Sequence, residues 1–538
     1  MSNTSPNVPT KTILGHPVGL FVLFFTEMWE RFSYYGMRAI LVLYLTSLTT
    51  VDNPGLGWTE SNALELYGWY TMLVYVMSIP GGIIADRLLG QKKSVLIGGI
   101  LLCLGHGVLA IEQMWAFYTG LILIILGVGM LKPNISTMVG GLYKKGDIRR
   151  DKGFTIFYIG INLGAFLSSL IVGYVGETIG WHYGFGLAGI GMVLGQVIYM
   201  LGQKHLVGIG DLMKDKDPEA EVEQITSSDL LDDGVKNSSK GAAESGSDFN
   251  LFKAIFTTPW TLVCAVLAVP AAVVMGLFIN SSLGFFTGVL LFLLAFFGAM
   301  FKDLNKIERD RISVVLLSFA IVVVFWGAFE QAGGLMNLYT KNKTDRMLLG
   351  MEIPASVFQS LNAAFIILLG SLVAAFWAKR KLKSKESSSL FKMAIGTVIM
   401  GSGFLFMTGA AAEYEASGSS AMYWLVLAYL FHTIGELCTS PVSLSFITKL
   451  TPLRYGSIMM GTYFAMTGFG NKLAATIGES ASQLGEYVIF TGIAIFCAVF
   501  GILIISLLKI LKRLTHGAED NEGTIHEEAE GFEIADNN

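Results

Sequence analysis

The chain has 538 residues, of which 53% are hydrophobic without counting 62 glycines and only 14% are Asp, Glu, Lys or Arg. Soluble proteins carry about 25% charged residues, so this composition cannot cover a water-soluble body of such size and describes an integral membrane protein. The net charge of −4 argues against nucleic-acid binding, and Cys103, Cys264, Cys438 and Cys497 stand in apolar runs at no metal-ligand spacing.

A membrane-crossing helix needs about 20 mostly apolar residues. In chain order such runs fall near 18–48, 63–85, 93–112, 115–142, 154–175 and 183–204, then 259–279 and 283–301. Six more follow near 312–339, 354–378, 390–412, 421–449, 455–477 and 487–511, which predicts fourteen helices. The residues before Val18 lack the charged-then-apolar pattern of a cleaved signal, so the first helix is expected to stay in the mature protein. Residues 206–252 mix Asp, Glu, Ser, Lys and Gly and read as a solvated linker, and 515–538 read as an acidic tail. The division expected is therefore 1–205, a six-helix bundle; 206–252, a linker; 253–303, two inserted helices; 304–514, a second six-helix bundle; and 515–538, a tail.

Lysine and arginine set the orientation. Alternate loops hold Arg87, Lys92 and Lys93; Lys144, Lys145, Arg149, Arg150 and Lys152; Lys302, Lys306, Arg309 and Arg311; Lys379 through Lys385; and Lys449 with Arg454. The intervening loops at 49–62, 113–114, 176–182, 280–282, 413–420 and 478–486 have none, and only the loop with Lys341, Lys343 and Arg346 dissents. Both termini are expected in the cytoplasm, in a multi-pass protein of the inner (plasma) membrane.

An ionisable side chain at a helix centre costs about 2.5–3.5 kcal/mol on insertion scales, which makes it a functional candidate. In the first helix Glu27, Glu30, Arg31, Tyr34, Tyr35 and Arg38 share one face, and Glu27 with Arg31 is an i,i+4 pair. That stripe must face protein or a wet cavity, unless it snorkels to the interface. Lys132 stands deep in the fourth run, Glu330 in the run after the insertion, and Glu436 in the middle of LAYLFHTIGELCTSP. Each alone could be half of a structural pair. Together Glu27, Glu30, Glu330 and Glu436 outnumber Arg31, Arg38 and Lys132 by one, and an excess carboxylate held away from water is a resting place for a proton. Pro133, Pro441, Gly327, Gly333 and Gly334 can unwind a turn beside these charges; Asn162, Asn362, Tyr75, Trp326 and Tyr463 are polar or aromatic groups at similar depth.

EMWERFSYYGMRAIL at 27–41 resembles the ExxERFxYYG signature of the proton-dependent oligopeptide transporter family. GVGMLKPNISTMVG at 127–140, FYIGINLGA at 157–165, FQSLNAAFI at 358–366 and GELCTSPVSLSFITKLTP at 435–452 resemble further motifs of that family, in order. The basic loop GGIIADRLLGQKK and the six-plus-six layout resemble the major facilitator superfamily. The resemblance implies an all-α membrane protein: two six-helix bundles of the major facilitator fold, with two extra helices inserted between them. It implies a monomeric proton symporter that takes up dipeptides and tripeptides across the lipid bilayer, with no cofactor beyond the coupling proton. Glu27, Glu30, Arg31 and Lys132 would couple the proton, and Arg38 with Glu330 would form a salt bridge that opens and closes. Lys132 and Arg38 would attract the peptide carboxylate, Glu436 its amino terminus, and Asn162 and Asn362 its backbone. Tyr34, Tyr35, Tyr75, Trp326, Ser440 and Tyr463 would shape side-chain pockets. The sequence departs from the family at Gly68, where animal relatives carry histidine, and at Tyr463, where many relatives carry tryptophan.

Other readings are a same-fold importer of nitrate, a drug or an amino-acid conjugate, a membrane hydrolase, or a non-transporting peptide sensor. The absence of HExxH, a plausibly placed GxSxG and GxxxxGK[ST] in the sequence disfavours hydrolysis and ATP drive.

Overall fold

The computed structural model describes residues 12–143, 147, 149–212, 254–256 and 258–518. Lys144 and Lys145, the expected linker from 213 on and the expected acidic tail from 519 on lie outside the described residues. Long helices stand at every apolar run. They are α1 (Val18–Thr46), α2 (Glu60–Val76) continued by α3 (Ser78–Ile84), α4 (Gln91–Leu109), α5 (Met114–Gly141), α6 (Arg149–Thr178) and α7 (Trp181–Gly202). Next come α8 (Pro259–Phe278), α9 (Ser281–Asp303), α10 (Lys306–Phe329), α11 (Leu335–Lys343), α12 (Ser360–Leu382), α13 (Ser389–Ser417), α14 (Tyr423–Leu450), α15 (Gly456–Glu479) and α16 (Glu486–Leu514). Strands are limited to three two-residue ladders among the described residues, one of which pairs Thr344 with Ser420 in parallel.

Twelve of the described helices are long and apolar enough to cross a membrane, against the fourteen expected. The two that fall short by that measure are α1, 29 residues long with four charges along its middle, and α15, 24 residues rich in Gly and Thr with Lys472 and Glu479. A polar stripe lowers mean hydropathy without shortening the helix, and such helices belong where protein covers them.

The described residues divide into two compact units: 12–212 with Ser318–Ser445 and Tyr455–Leu507, and 254–317 with Phe446–Arg454 and 508–518. The first unit has two apolar cores. One is built on α1, α2 and α4–α7 around Leu41, Ile124, Val128, Phe185 and Met192, the other on α10, α13, α14 and α16 around Phe325, Phe404 and Phe490. In the second unit α8 and α9 form an antiparallel hairpin, in which Asn280 caps α9 by accepting from the Ser282 and Leu283 amides at 2.8 and 3.3 Å. Along α8, Val269, Leu277 and Phe278 are 70%, 78% and 82% exposed, a surface that only lipid can solvate. Arg454 in the same unit binds Asp303 at 2.9 Å and Glu308 at 2.7 Å.

Helix irregularities fall where the charges are, though not at every expected residue. The expected single run over 312–339 breaks: α10 ends at Phe329, Glu330–Ala332 form a 3₁₀ turn, and α11 resumes after Gly334. By contrast, α5 and α14 run straight through Pro133 and Pro441. A proline removes one backbone donor, and a long helix bound on several sides by neighbours tolerates that loss.

Candidate functional site

The stripe on α1 is buried in protein. Glu27, Glu30, Arg31 and Arg38 are each less than a tenth exposed, so the snorkelling alternative does not describe them. Arg31 bridges two carboxylates: Nη2 and Nε lie 2.7 Å from Glu27 Oε1, and Nε lies 3.0 Å from Glu30 Oε2. What lets this cluster sit against α6 is Gly164. A Cβ there would meet the Met28 carbonyl at 2.2 Å and Arg31 Cβ at 3.0 Å, so only glycine allows α1 and α6 to approach this closely.

Two turns further on, Arg38 Nη1 reaches both oxygens of Glu330 at 3.1 Å. The pair joins α1 to the 3₁₀ turn after α10, 292 residues away in sequence. The break in the helix is therefore the element that presents the partner carboxylate. Asn337 on α11 donates to the Ala39 carbonyl at 2.9 Å beside it. The Arg38 guanidinium stands 5.1 Å from the Tyr35 ring centroid, and Tyr34 packs edge-on against Tyr35 and stacks on Tyr70.

Lys132 is placed differently from the other bases. Its ammonium lies 3.8 Å over the Tyr75 ring and forms no salt bridge among the described residues. It is within electrostatic range of Glu27, Glu30, Arg31 and Glu330. Such a cation is held by an aromatic face and keeps its donors available. Glu436, on α14, accepts from Asn362 Nδ2 on α12 at 2.8 Å, and the same amide reaches Thr433 Oγ1 at 3.1 Å. Glu436 is in range of Arg38 and Glu330, which links all seven charges predicted from sequence into one electrostatically connected group.

The remaining predicted residues are less closely tied. Asn162 donates to its own helix, to the Tyr158 carbonyl at 2.9 Å. Tyr463 accepts from Ser443 at 3.3 Å, and Ser440 meets the same Ser443 only through its backbone carbonyl at 3.0 Å. Trp326 packs edge-on against Phe325 and Phe329. No group of three or more His, Cys, Asp and Glu that could hold a metal occurs among the described residues.

Sequence reasoning missed several members of this region. Tyr67, Tyr70, Gln331 and Asn337 are at most 2% exposed, and each has a polar atom without a hydrogen-bond partner among the described residues. Together with such atoms on Ser33, Tyr34 and Arg38 they form a polar interior suited to bound water. The tyrosines on α2 could have signalled Tyr67 and Tyr70, and Gln331 adjoins Glu330 in the sequence. Lys472, fully buried on α15, was also missed, although the rule that singled out Lys132 applies to it equally.

The seven charges and their aromatic surround can be set beside known proteins. The sequence model described as POT family matches residues 92–224 and 287–487, more than half of the chain. The chain is 35% identical to an uncharacterized transporter, YclF, of Bacillus subtilis strain 168, over 95% of this chain and 97% of that protein. It is 35% identical to the peptide transporter YePEPT of Yersinia enterocolitica (96% and 99% covered) and 36% identical to a di-/tripeptide transporter of Lactococcus lactis subsp. cremoris (94% and 98%). Its fold matches the crystal structure of peptide transporter POT in complex with sulfate at a TM-score of 0.76, with 33% identity over 94% of this chain and 97% of that one. It also matches a POT family transporter in complex with a thioalcohol-conjugated peptide at 0.73, with 30% identity over 93% and 98%. This sequence, with its charged interior and its apolar helices, is a member of the POT family, and the protein is a membrane transporter and not an enzyme.

Proposed function

We propose that the protein imports dipeptides and tripeptides into the cytoplasm, driven by inward proton flow, by alternating access of two six-helix halves, 1–205 and 304–514. The observation that carries this reading is the arrangement of charge: Arg31, Arg38 and Lys132 on the first half lie within one connected group with Glu330 and Glu436 on the second. A short peptide is a zwitterion, so its recognition needs cations and a carboxylate held apart on opposed surfaces. The names of the Yersinia and Lactococcus relatives and the peptide-bound structure support the same substrate class.

Each group then has a task. Lys132, held over Tyr75 with its donors available, and Arg38 take the peptide carboxylate. Glu436, oriented by Asn362, takes the amino terminus, with Asn162 and Asn362 serving the backbone. Tyr34, Tyr35, Tyr75, Trp326, Ser440 and Tyr463 bound the side-chain pockets. Specificity rests on termini that every peptide shares, and pockets without demanding hydrogen bonds tolerate varied side chains. A proton arriving at the Glu27–Arg31–Glu30 cluster or at Glu330 releases an arginine from its carboxylate, and peptide binding draws the halves together. One proton moving through 100 mV supplies about 2.3 kcal/mol, enough for roughly 50-fold accumulation of a neutral peptide.

With both termini in the cytoplasm of a plasma-membrane protein, the end carrying the α1–α2 loop faces outward. There Lys341 pairs with Glu177 at 3.1 Å, Ser356 donates to Glu177 at 2.6 Å, and Asn342 donates to Glu60 at 3.0 Å, so the halves are tied at their outer face. A monomer suffices for this cycle. Uptake of dialanine and trialanine into proteoliposomes tests the reading, with mass spectrometry of the recovered solute. Intact, accumulated peptide supports it. Hydrolysed peptide, or uptake insensitive to peptide competitors, contradicts it.

A further inference from the structure

Of the two charges on α15 outside the group described above, Lys472 and Glu479, the lysine is the deeper. Its side chain is 0% exposed, which makes it the one lysine among the largest fully buried side chains of the described residues. Its ammonium lies 3.4 Å from Glu479 Oε1, two turns along the same helix, and 5.1 Å from the Trp69 ring on α2. Gly68 makes room for it: a Cβ at that position would come within 3.1 Å of Lys472 Cδ and 2.4 Å of Ala475 Cβ. Gly468 meets Met72 and Tyr75 in the same way, so 468, 472, 475 and 479 form the face that α15 turns to α2. Glu479 is itself 15% exposed, and Glu65 on α2 lies within its electrostatic range.

One carboxylate contact at 3.4 Å and one aromatic ring at 5.1 Å do not offset the desolvation of an ammonium with no exposed surface. We propose that Lys472 is a charge lodged in the α2–α15 contact that opposes closure of that contact, with Glu479 as the counterweight, so that the two together set how readily the outer ends of the halves part. The inference rests on the alternating-access reading: α2 belongs to one half and α15 to the other, and their separation admits water to the ammonium. Neither residue touches the groups assigned to peptide or proton, so the pair positions the halves and takes no part in binding.

The two charges have opposite expected effects. Glu479→Gln leaves the ammonium buried without its carboxylate and favours the parted state. Lys472→Met keeps the stem in place against Gly68, removes the charge and favours the closed state, because the partly exposed Glu479 can hydrate. Hydrogen exchange of the full-length protein in nanodiscs, without peptide or proton gradient, reads this directly in peptides covering Glu60–Val76 and Gly456–Glu479. Exchange is expected to rise about tenfold in Glu479→Gln and to fall about tenfold in Lys472→Met, while Lys472→Arg stays near wild type. Lys472→Gln carries the same expectation as the methionine variant should that protein not fold. Shifts of the same sign in both variants, or no shift on removing the lysine, overturn the proposal and reduce the pair to packing. Because exchange is read without substrate, failure to accumulate dialanine would contradict the peptide reading and leave this result to be judged by itself.

Discussion

At the residue scale the site is a set of buried charges whose partners differ in kind, and the consequences of removing them differ accordingly. Arg38 and Glu330 are a pair with little access to water, so deleting one member strands the other. Arg38→Ala is expected to cost about 3–5 kcal/mol of stability, read as a fall in thermal midpoint of the purified protein, and the exchange Arg38→Glu with Glu330→Arg should recover part of it. Glu436 is held by an amide and not by a cation, so Glu436→Gln should leave the fold nearly unchanged. Its effect should appear in binding: peptides with a free amino terminus lose about tenfold or more in affinity by calorimetry, while N-acetylated peptides bind as to wild type. The charges themselves were legible in the sequence because each interrupts an apolar run. Their pairing was legible in two ways: Glu27 with Arg31 from local i,i+4 spacing, and Arg38 with Glu330, 292 residues apart, only from the family resemblance, since nothing local records that contact.

At the scale of the element, α1 and the break after α10 do most of the positioning. The stripe of α1 could be read from its helical offsets, and the structure turns that face toward protein. The break at Glu330–Gly334 was signalled by paired glycines, but prolines 133 and 441 gave the same signal and leave α5 and α14 continuous. The difference lies in tertiary contact, which sequence pattern does not carry. Close helix packing supplies a test at this scale. Gly164→Val places a branched side chain where the Met28 carbonyl lies 2.2 Å from the first added carbon, so α6 must move off α1 and carry the Arg31 cluster out of register. Loss of about 2 kcal/mol or more of stability is expected, together with loss of proton-driven uptake. Gly186→Ala serves as the control, because the nearest atom to its added Cβ is at 3.8 Å.

At the scale of the molecule, composition alone established a membrane protein, and the order of five motifs pointed to the family that the comparisons then assigned. The helix count was less legible, since the polar residues of α1 and α15 lower the apolar signal by which spanning helices are counted. Lys472 escaped notice for a related reason: no motif surrounds it, and only the packing of Gly68 against its stem reveals how deep it lies. The central claim is that protons move peptide through one connected group of charges. Its most direct test is dialanine accumulation in proteoliposomes under an imposed inward proton gradient, with Glu27→Gln and Lys132→Ala measured beside wild type. The account predicts accumulation by wild type that disappears when the gradient is collapsed, and none by either variant at any gradient. Equal accumulation with and without the gradient, or wild-type accumulation by both variants, would contradict it.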